Sequence, residues 1–171
     1  LLLSHRADWA VVQEVEETPG IVYKPLFSYE MVGLCAKDHP LAAKEVWQAE
    51  DFIDQTLITY PVPDDMLDLL RKVLHPKGVN PTRRTSELTI AIIQLVASKR
   101  GVAALPFWAA KPYLDRGYIV ARKITEQGLH SNLYAATREL DSQIAFVDDF
   151  YETVKAQSFS TLPELSILEE I

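Results

Sequence analysis

Basic residues are scarce in this sequence: 17 Lys and Arg stand against 24 Asp and Glu, a formal charge of -7. Holding phosphates requires clustered Lys and Arg. The basic doublets, at 71–72, 83–84 and 99–100, each read as a solvated edge. This segment is therefore not expected to hold nucleic acid by itself. Cysteine is nearly absent: Cys35 stands alone, which excludes an internal disulfide and suits a reducing cytoplasm. The six glycines never cluster, so neither a dinucleotide fingerprint nor a P-loop is present. No apolar run approaches the roughly 18 residues of a membrane span. Nor is a signal peptide expected, since charge follows residues 1–3 at once with Arg6 and Asp8. His5, His39, His75 and His130 lack a His or Cys partner at metal spacing, so no metal site is expected.

What is present is a globular composition, 48% apolar and 24% charged, over a length that suits one domain or two small lobes. Residues 1–3 read as the end of a helix, and without an initiator Met the chain reads as a piece of something longer. Strands are expected at 9–12, 21–27, 31–36, 56–60, 82–85, 102–105, 118–124 and 132–136, with a turn at 18–20 and another at 38–40. A short helix should end at 51–54. Asp64 is placed to cap a helix carrying Met66, Leu67, Leu70, Val73 and Leu74 on one face, stopped by Pro76 and Gly78. The most apolar helix spans 88–100. Another runs over 108–116 with Pro112 in its first turn and Gly117 as its stop. Asp141 is expected to cap a last helix facing Ile144, Val147, Phe150, Tyr151 and Val154 inward. Strands alternating with helices predict α/β layering on a mostly parallel sheet.

Catalytic groups are hard to find. Cys35 lies in an apolar strand with no cation beside it, which describes a packed core thiol better than a nucleophile. Ser4, Ser28 and Ser98 lack a nucleophile-elbow setting, and the carboxylates at 14–17 and 148–149 read as solvated faces. No catalytic set, enzyme activity or cofactor is expected. The helix at 88–100 is more informative: it is apolar nearly all round and so should be buried. Glu87, Gln94 and Ser98 form its one polar stripe, at offsets that return to within about 40° on a 3.6-residue helix. A helix start offers free N–H groups to a carboxylate, and Glu87 beside it offers a partner for an ammonium group. A small amino acid carries both. The competing reading is that Ser86 or Thr85 merely caps the helix while the stripe faces water or another helix.

Five blocks then carry a family likeness: PLFSYE at 25–30, DHPLAAK at 38–44, LITYP at 57–61, IQLVASKRGVAALP at 93–106 and LYAA at 133–136. Over about residues 3–155 the chain resembles the effector domains of LysR-type transcriptional regulators. The Tyr-Pro pair, the ALP-aromatic-Trp run and the LYAA strand together resemble the MetR-like, methionine-biosynthesis branch. The resemblance implies a two-lobed, periplasmic-binding-protein-like (type 2) α/β fold with its first lobe incomplete. The first lobe would hold 1–34 and 135–156, the second lobe 35–134, and a tail 157–171, as a docking helix or a loose end. It implies an inter-lobe effector cleft to which the second lobe contributes Tyr60, Pro61, Thr85, Ser86, Glu87, Thr89, Phe107 and Trp108, with Cys35, Ala36 and Ala135 as hinges. For the aromatic and Thr side chains, plain packing is as good an account as ligand contact. The branch responds to homocysteine, which is thus the implied effector. The implied partners are that small molecule, further copies of the chain (paired effector domains, a dimer or tetramer of the whole regulator), and DNA only through an N-terminal domain absent here. The setting is cytoplasmic, with no membrane. The alternative of the same fold is the solute-binding protein of an amino-acid transport system, which would need an export signal.

Overall fold

The computed structural model describes residues 1–169. In chain order the regular elements are β1 (Trp9–Val12), β2 (Ile21–Cys35), β3 (Val46–Trp47), β4 (Thr56–Thr59), β5 (Thr82–Thr85), α1 (Thr89–Ala97), β6 (Val102–Pro106), α2 (Phe107–Asp115), β7 (Val120–Ile124), β8 (Leu129–Arg138), α3 (Ala145–Thr161) and β9 (Leu165–Ser166). Short 3-10 turns lie between them, and Leu69–Leu74 form a π-helix. The chain divides into two compact units, Leu1–Tyr29 with the chain from Ser131 onward, and Glu30–His130.

In the second unit β4 runs parallel to β5 and to β6, and β3 parallel to β7, while β2 is antiparallel to both β6 and β7. The sheet is therefore mixed rather than mostly parallel. Parallel neighbours need a crossover, which the β4-to-β5 and β5–α1–β6 connections supply; β2 arrives without one. Successive strand residues point to opposite faces, and here both faces are covered. Leu57, Val102 and Cys35 enter one core with Trp47, Phe52, Leu70 and Leu74, whereas Ile58, Ala103 and Leu34 enter another with Ile92, Ile93 and Val96. Trp47 is fully buried, donates its indole N–H to the Leu41 carbonyl at 3.0 Å, and meets Phe52 edge-on. Its ring lies against Gly33 of β2, where an added Cβ would sit 2.4 Å from the ring carbons.

In the first unit β1 pairs antiparallel with β8, Trp9 opposite Thr137 through Val12 opposite Tyr134. Tyr151 of α3 is buried and donates to the Pro25 carbonyl at 2.6 Å. Arg138 gathers the N-terminal turn, donating to the carbonyls of Leu2 and Ala7 at 2.9 and 2.8 Å and pairing with Asp8 and Asp141. Both carboxylates, with Asp8 contributing most, raise the Arg138 pKa still further above its usual range.

Several expected boundaries move, each for a local reason. Residues 1–3 enter a hydrogen-bonded turn (Arg6 N–H to the Leu1 carbonyl) rather than end a helix. The strands expected at 21–27 and 31–36 are one strand. The helix expected after Asp64 breaks into a 3-10 turn and the π-helix: Pro63 takes the cap position, the Asp64 carboxylate binds Arg83, and Pro76 has no N–H to continue the ladder. Helix α1 is shorter than 88–100 and not buried all round, with Leu88 and Ile90 63% and 49% exposed. Pro112 lies inside α2, past its first turn. Asp141 is held by Arg138, so Ile144 occupies the α3 cap position. On α3 only Tyr151 is buried, while Ile144 and Phe150 remain 48% and 42% exposed. In the expected tail, α3 continues to Thr161 and β9 pairs with Ser28 and Tyr29, so neither a separate docking helix nor a loose end describes it; residues 170–171 lie outside the described residues.

Overpacking a well-filled core typically costs about 1–3 kcal/mol. Gly33→Ala is expected to lower stability by about that much, read from the urea midpoint; an unchanged midpoint would show that the Trp47 ring moves aside freely.

Candidate functional site

Because β5, β4 and β6 are parallel neighbours, their C-terminal ends reach the same edge of the second unit's sheet. In open α/β sheets this edge is where ligands bind. Each strand delivers expected residues there: Tyr60 and Pro61 follow β4, Thr85 to Thr89 lead from β5 into α1, and Phe107 and Trp108 follow β6 as the first turn of α2. Pro61, Thr85 and Glu87 are exposed, while Tyr60, Ser86, Thr89, Phe107 and Trp108 are half-buried. Tyr60 and Phe107 also pack against the core beneath α1, so packing and availability are combined in the same side chains.

Hydrogen bonds fix this edge. The Tyr60 hydroxyl meets the Thr89 hydroxyl at 2.5 Å, tying the end of β4 to the first residue of α1. Ser86 N–H donates to the Thr59 carbonyl at 2.9 Å, prolonging the β4–β5 ladder by one step. Helix α1 begins only at Thr89, so its cap position falls on Leu88, whose side chain cannot accept a hydrogen bond. The expectation that Ser86 or Thr85 caps α1 is thus corrected. The N–H groups opening α1 are left without a capping side chain, and Glu87 lies exposed next to them. Gln94 and Ser98 of the polar stripe are exposed as well.

Arg83, expected as part of a solvated edge, organises the site from behind. Its guanidinium donates to the Thr59 hydroxyl at 2.8 Å, to the carbonyls of Val62 and Tyr60 at 2.8 and 3.3 Å, and pairs with Asp64. The fork geometry of Arg suits such simultaneous carbonyl and carboxylate contacts. The only sequence signal was an Arg in a strand beside a run of turn residues. Beneath Thr59, Met31, Leu57, Leu67 and Ala104 line a cavity of about 20 Å³, room for about one water.

The positions expected as hinges lie within the units. The division falls at Tyr29/Glu30 and His130/Ser131, so Cys35 and Ala36 are buried in the second unit and Ala135 is buried in the first, opposite Val11. Burial pushes the Cys35 thiol up to about 11, against the opposing pull of the Arg122 charge. Among the described residues no group of His, Cys, Asp or Glu could hold a metal ion, and no helix is long and apolar enough to cross a membrane.

Residues 1–158 match the LysR substrate binding domain, and the chain belongs to that family; its α/β architecture is that of LysR-type regulatory domains, periplasmic-binding-protein-like. Within the family it is similar to the HTH-type transcriptional regulator MetR. It is 68% identical to the Haemophilus influenzae MetR over 98% of this chain and 54% of that protein. It is 35% identical to the Escherichia coli (strain K12) MetR over 91% of this chain and 49% of that protein. The regulatory domain of a MetR from N. meningitidis superposes with a TM-score of 0.93 at 61% identity, covering 98% of this chain and 78% of that one. The chain thus spans about half the length of the curated relatives it matches.

Two measurements check this geometry. Arg83→Ala leaves the Val62 carbonyl and the Thr59 hydroxyl oxygen without their Arg83 donor and is expected to cost about 1–3 kcal/mol in urea unfolding; no loss would mean that these groups are re-satisfied by solvent. Cys35 binds its proton more tightly folded than unfolded, so stability is expected to fall as pH rises from 9.0 towards about 11. At pH 8 its alkylation should proceed only through unfolding; rapid alkylation of the folded chain would contradict the burial.

Proposed function

We propose that this chain is the effector-sensing part of a bacterial transcriptional regulator of methionine biosynthesis, and that the C-terminal edge of β4, β5 and β6 receives a small amino acid, homocysteine foremost. The observation that carries the reading is the start of α1: its first N–H groups have no capping side chain, and Glu87 is exposed beside them. A carboxylate complements the helix N-terminus, and the Glu87 carboxylate complements an ammonium. Thr85, Ser86 and Thr89 offer further hydroxyl groups, and Tyr60, Pro61, Phe107 and Trp108 an apolar wall. The MetR relatives and the family membership support the regulatory reading.

In this reading the chain senses rather than catalyses and needs no cofactor. It acts in the cytoplasm, as a homo-oligomer, and reaches DNA through a separate domain of the full-length protein. The charge of -7 fits a segment that leaves phosphate contacts to another part.

Calorimetric titration of L-homocysteine into the full-length protein tests this. Saturable binding is expected, weakened about tenfold or more by Glu87→Ala, as for loss of a charge-assisted hydrogen bond. No saturable heat with homocysteine or methionine on folded protein would discard this ligand class, and unchanged affinity in the variant would discard the site.

A further inference from the structure

A second cavity lies in the same unit, lined by residues other than those at the strand ends. Gln48, Ala49, Val73, Pro76 and Thr125 line its volume of about 250 Å³. Ala49 and Val73 are buried members of the core that holds Trp47. The volume falls below the roughly 300–1,000 Å³ of drug-sized ligand pockets, so its occupant is small. The rim is charged with both signs: Lys72, Lys77 and Glu50 all line it. Lys72 is already engaged, its ammonium donating to Asp68 and to the His130 carbonyl at 3.0 and 3.1 Å. Among the described residues Lys77 and Glu50 have no ion pair, leaving one cation and one carboxylate in the lining beside the apolar Ala49, Val73 and Pro76.

The backbone around the cavity departs from regular structure on two separate segments. Lys72 and Val73 belong to the π-helix, and Pro76 and Lys77 to the 3-10 turn that follows it. Single-turn π segments are rare and concentrate at functional sites. Across the cavity Thr125 has φ +60°. That is the left-handed region, an outlier for a β-branched residue. The turn is held by Thr125 N–H donating to the Trp47 carbonyl at 2.8 Å and by Gly128 N–H donating to the Thr125 carbonyl at 3.2 Å. Two unfavourable backbone conformations, distant in sequence, thus bound one small cavity.

We infer that this cavity is a second small-molecule site, specific for an apolar zwitterion: an α-amino acid with its carboxylate on Lys77, its ammonium on Glu50 and its side chain over Ala49, Val73 and Pro76. A simple anion would meet the Glu50 charge, and a simple cation would meet Lys77. A zwitterion complements both. The inference stands independently of the ligand proposed for the strand ends.

The test is an NMR titration of the full-length protein with alanine, valine, leucine, methionine and phenylalanine, run with homocysteine already present at a saturating level if it binds. The amide resonances of Lys77 and Thr125 localise the response. At least one amino acid is expected to shift both saturably, with half-saturation below about 1 mM. Lys77→Ala and Glu50→Gln are each expected to weaken it at least about fivefold, and the N-acetylated and carboxamide forms of the same ligand to bind correspondingly less. No saturable shift at Lys77 and Thr125, shifts confined to residues 85–89, or affinity unchanged in both variants would overturn the inference. None of those results bears on homocysteine binding at Glu87, which the calorimetric experiment reads separately.

Discussion

Strand β4 lies between two parallel neighbours, and most of what the second unit does follows from that position. A strand paired on both sides has no free edge, so its residues 57 and 58 can only point to the two sheet faces, and each face needs its own cover. Leu57 and Ile58 are accordingly 0% and 1% exposed, one beneath the π-helix side and the other beneath α1. Parallel pairing also brings three strand ends to one edge. Past the last ladder bond, from Ser86 to Thr59, Arg83 meets the carbonyls of Tyr60 and Val62 together with the Thr59 hydroxyl. The candidate site is thus a by-product of sheet direction, finished by one guanidinium.

Strand positions could be read from sequence where apolar runs are bounded by turn residues, as at 56–60 and 102–105, because sheet burial leaves a direct mark on composition. At the strand ends, Thr85, Ser86 and Glu87 follow from the apolar helix's start, and Tyr60, Pro61, Thr89, Phe107 and Trp108 from the family likeness. What could not be read were competitions between distant partners. Asp64 has the composition of a helix cap, yet Arg83, distant in sequence, takes its carboxylate. Ser86 has a cap's composition too, yet α1 starts three residues later, at Thr89, and the cap position falls on Leu88. Propensity describes a residue's local options; a charged partner arriving from elsewhere in the chain outweighs them because a charge-assisted bond is stronger than a neutral capping bond.

The same competition explains the irregular chain after β4. A regular helix from Asp64 would keep its aliphatic face on the core, but Pro63 and Pro76 bracket the segment and Arg83 holds its first residue. The chain answers with a 3-10 turn, an interruption at Leu67 and a widened π segment, which still buries Leu69, Leu70, Val73 and Leu74. Burial of four aliphatic side chains, worth roughly 1.5–3 kcal/mol each, outweighs poorer hydrogen-bond geometry over six residues.

Under the proposed function, the start of α1 is where stability and ligand binding meet. A capping side chain typically contributes about 1 kcal/mol, and α1 begins without one. Its first turn is instead held by the Tyr60–Thr89 hydroxyl pair and by the apolar side chains that follow. An anion at those N–H groups supplies what a cap would, so under the proposed function the ligand's binding energy and the stability of this turn are linked quantities. A serine capping α1 would strengthen the unliganded helix and weaken the ligand's advantage by the same interaction. Ser86 lies two residues before the cap position, which falls on Leu88, so under the proposed function the helix start is left for a carboxylate from outside.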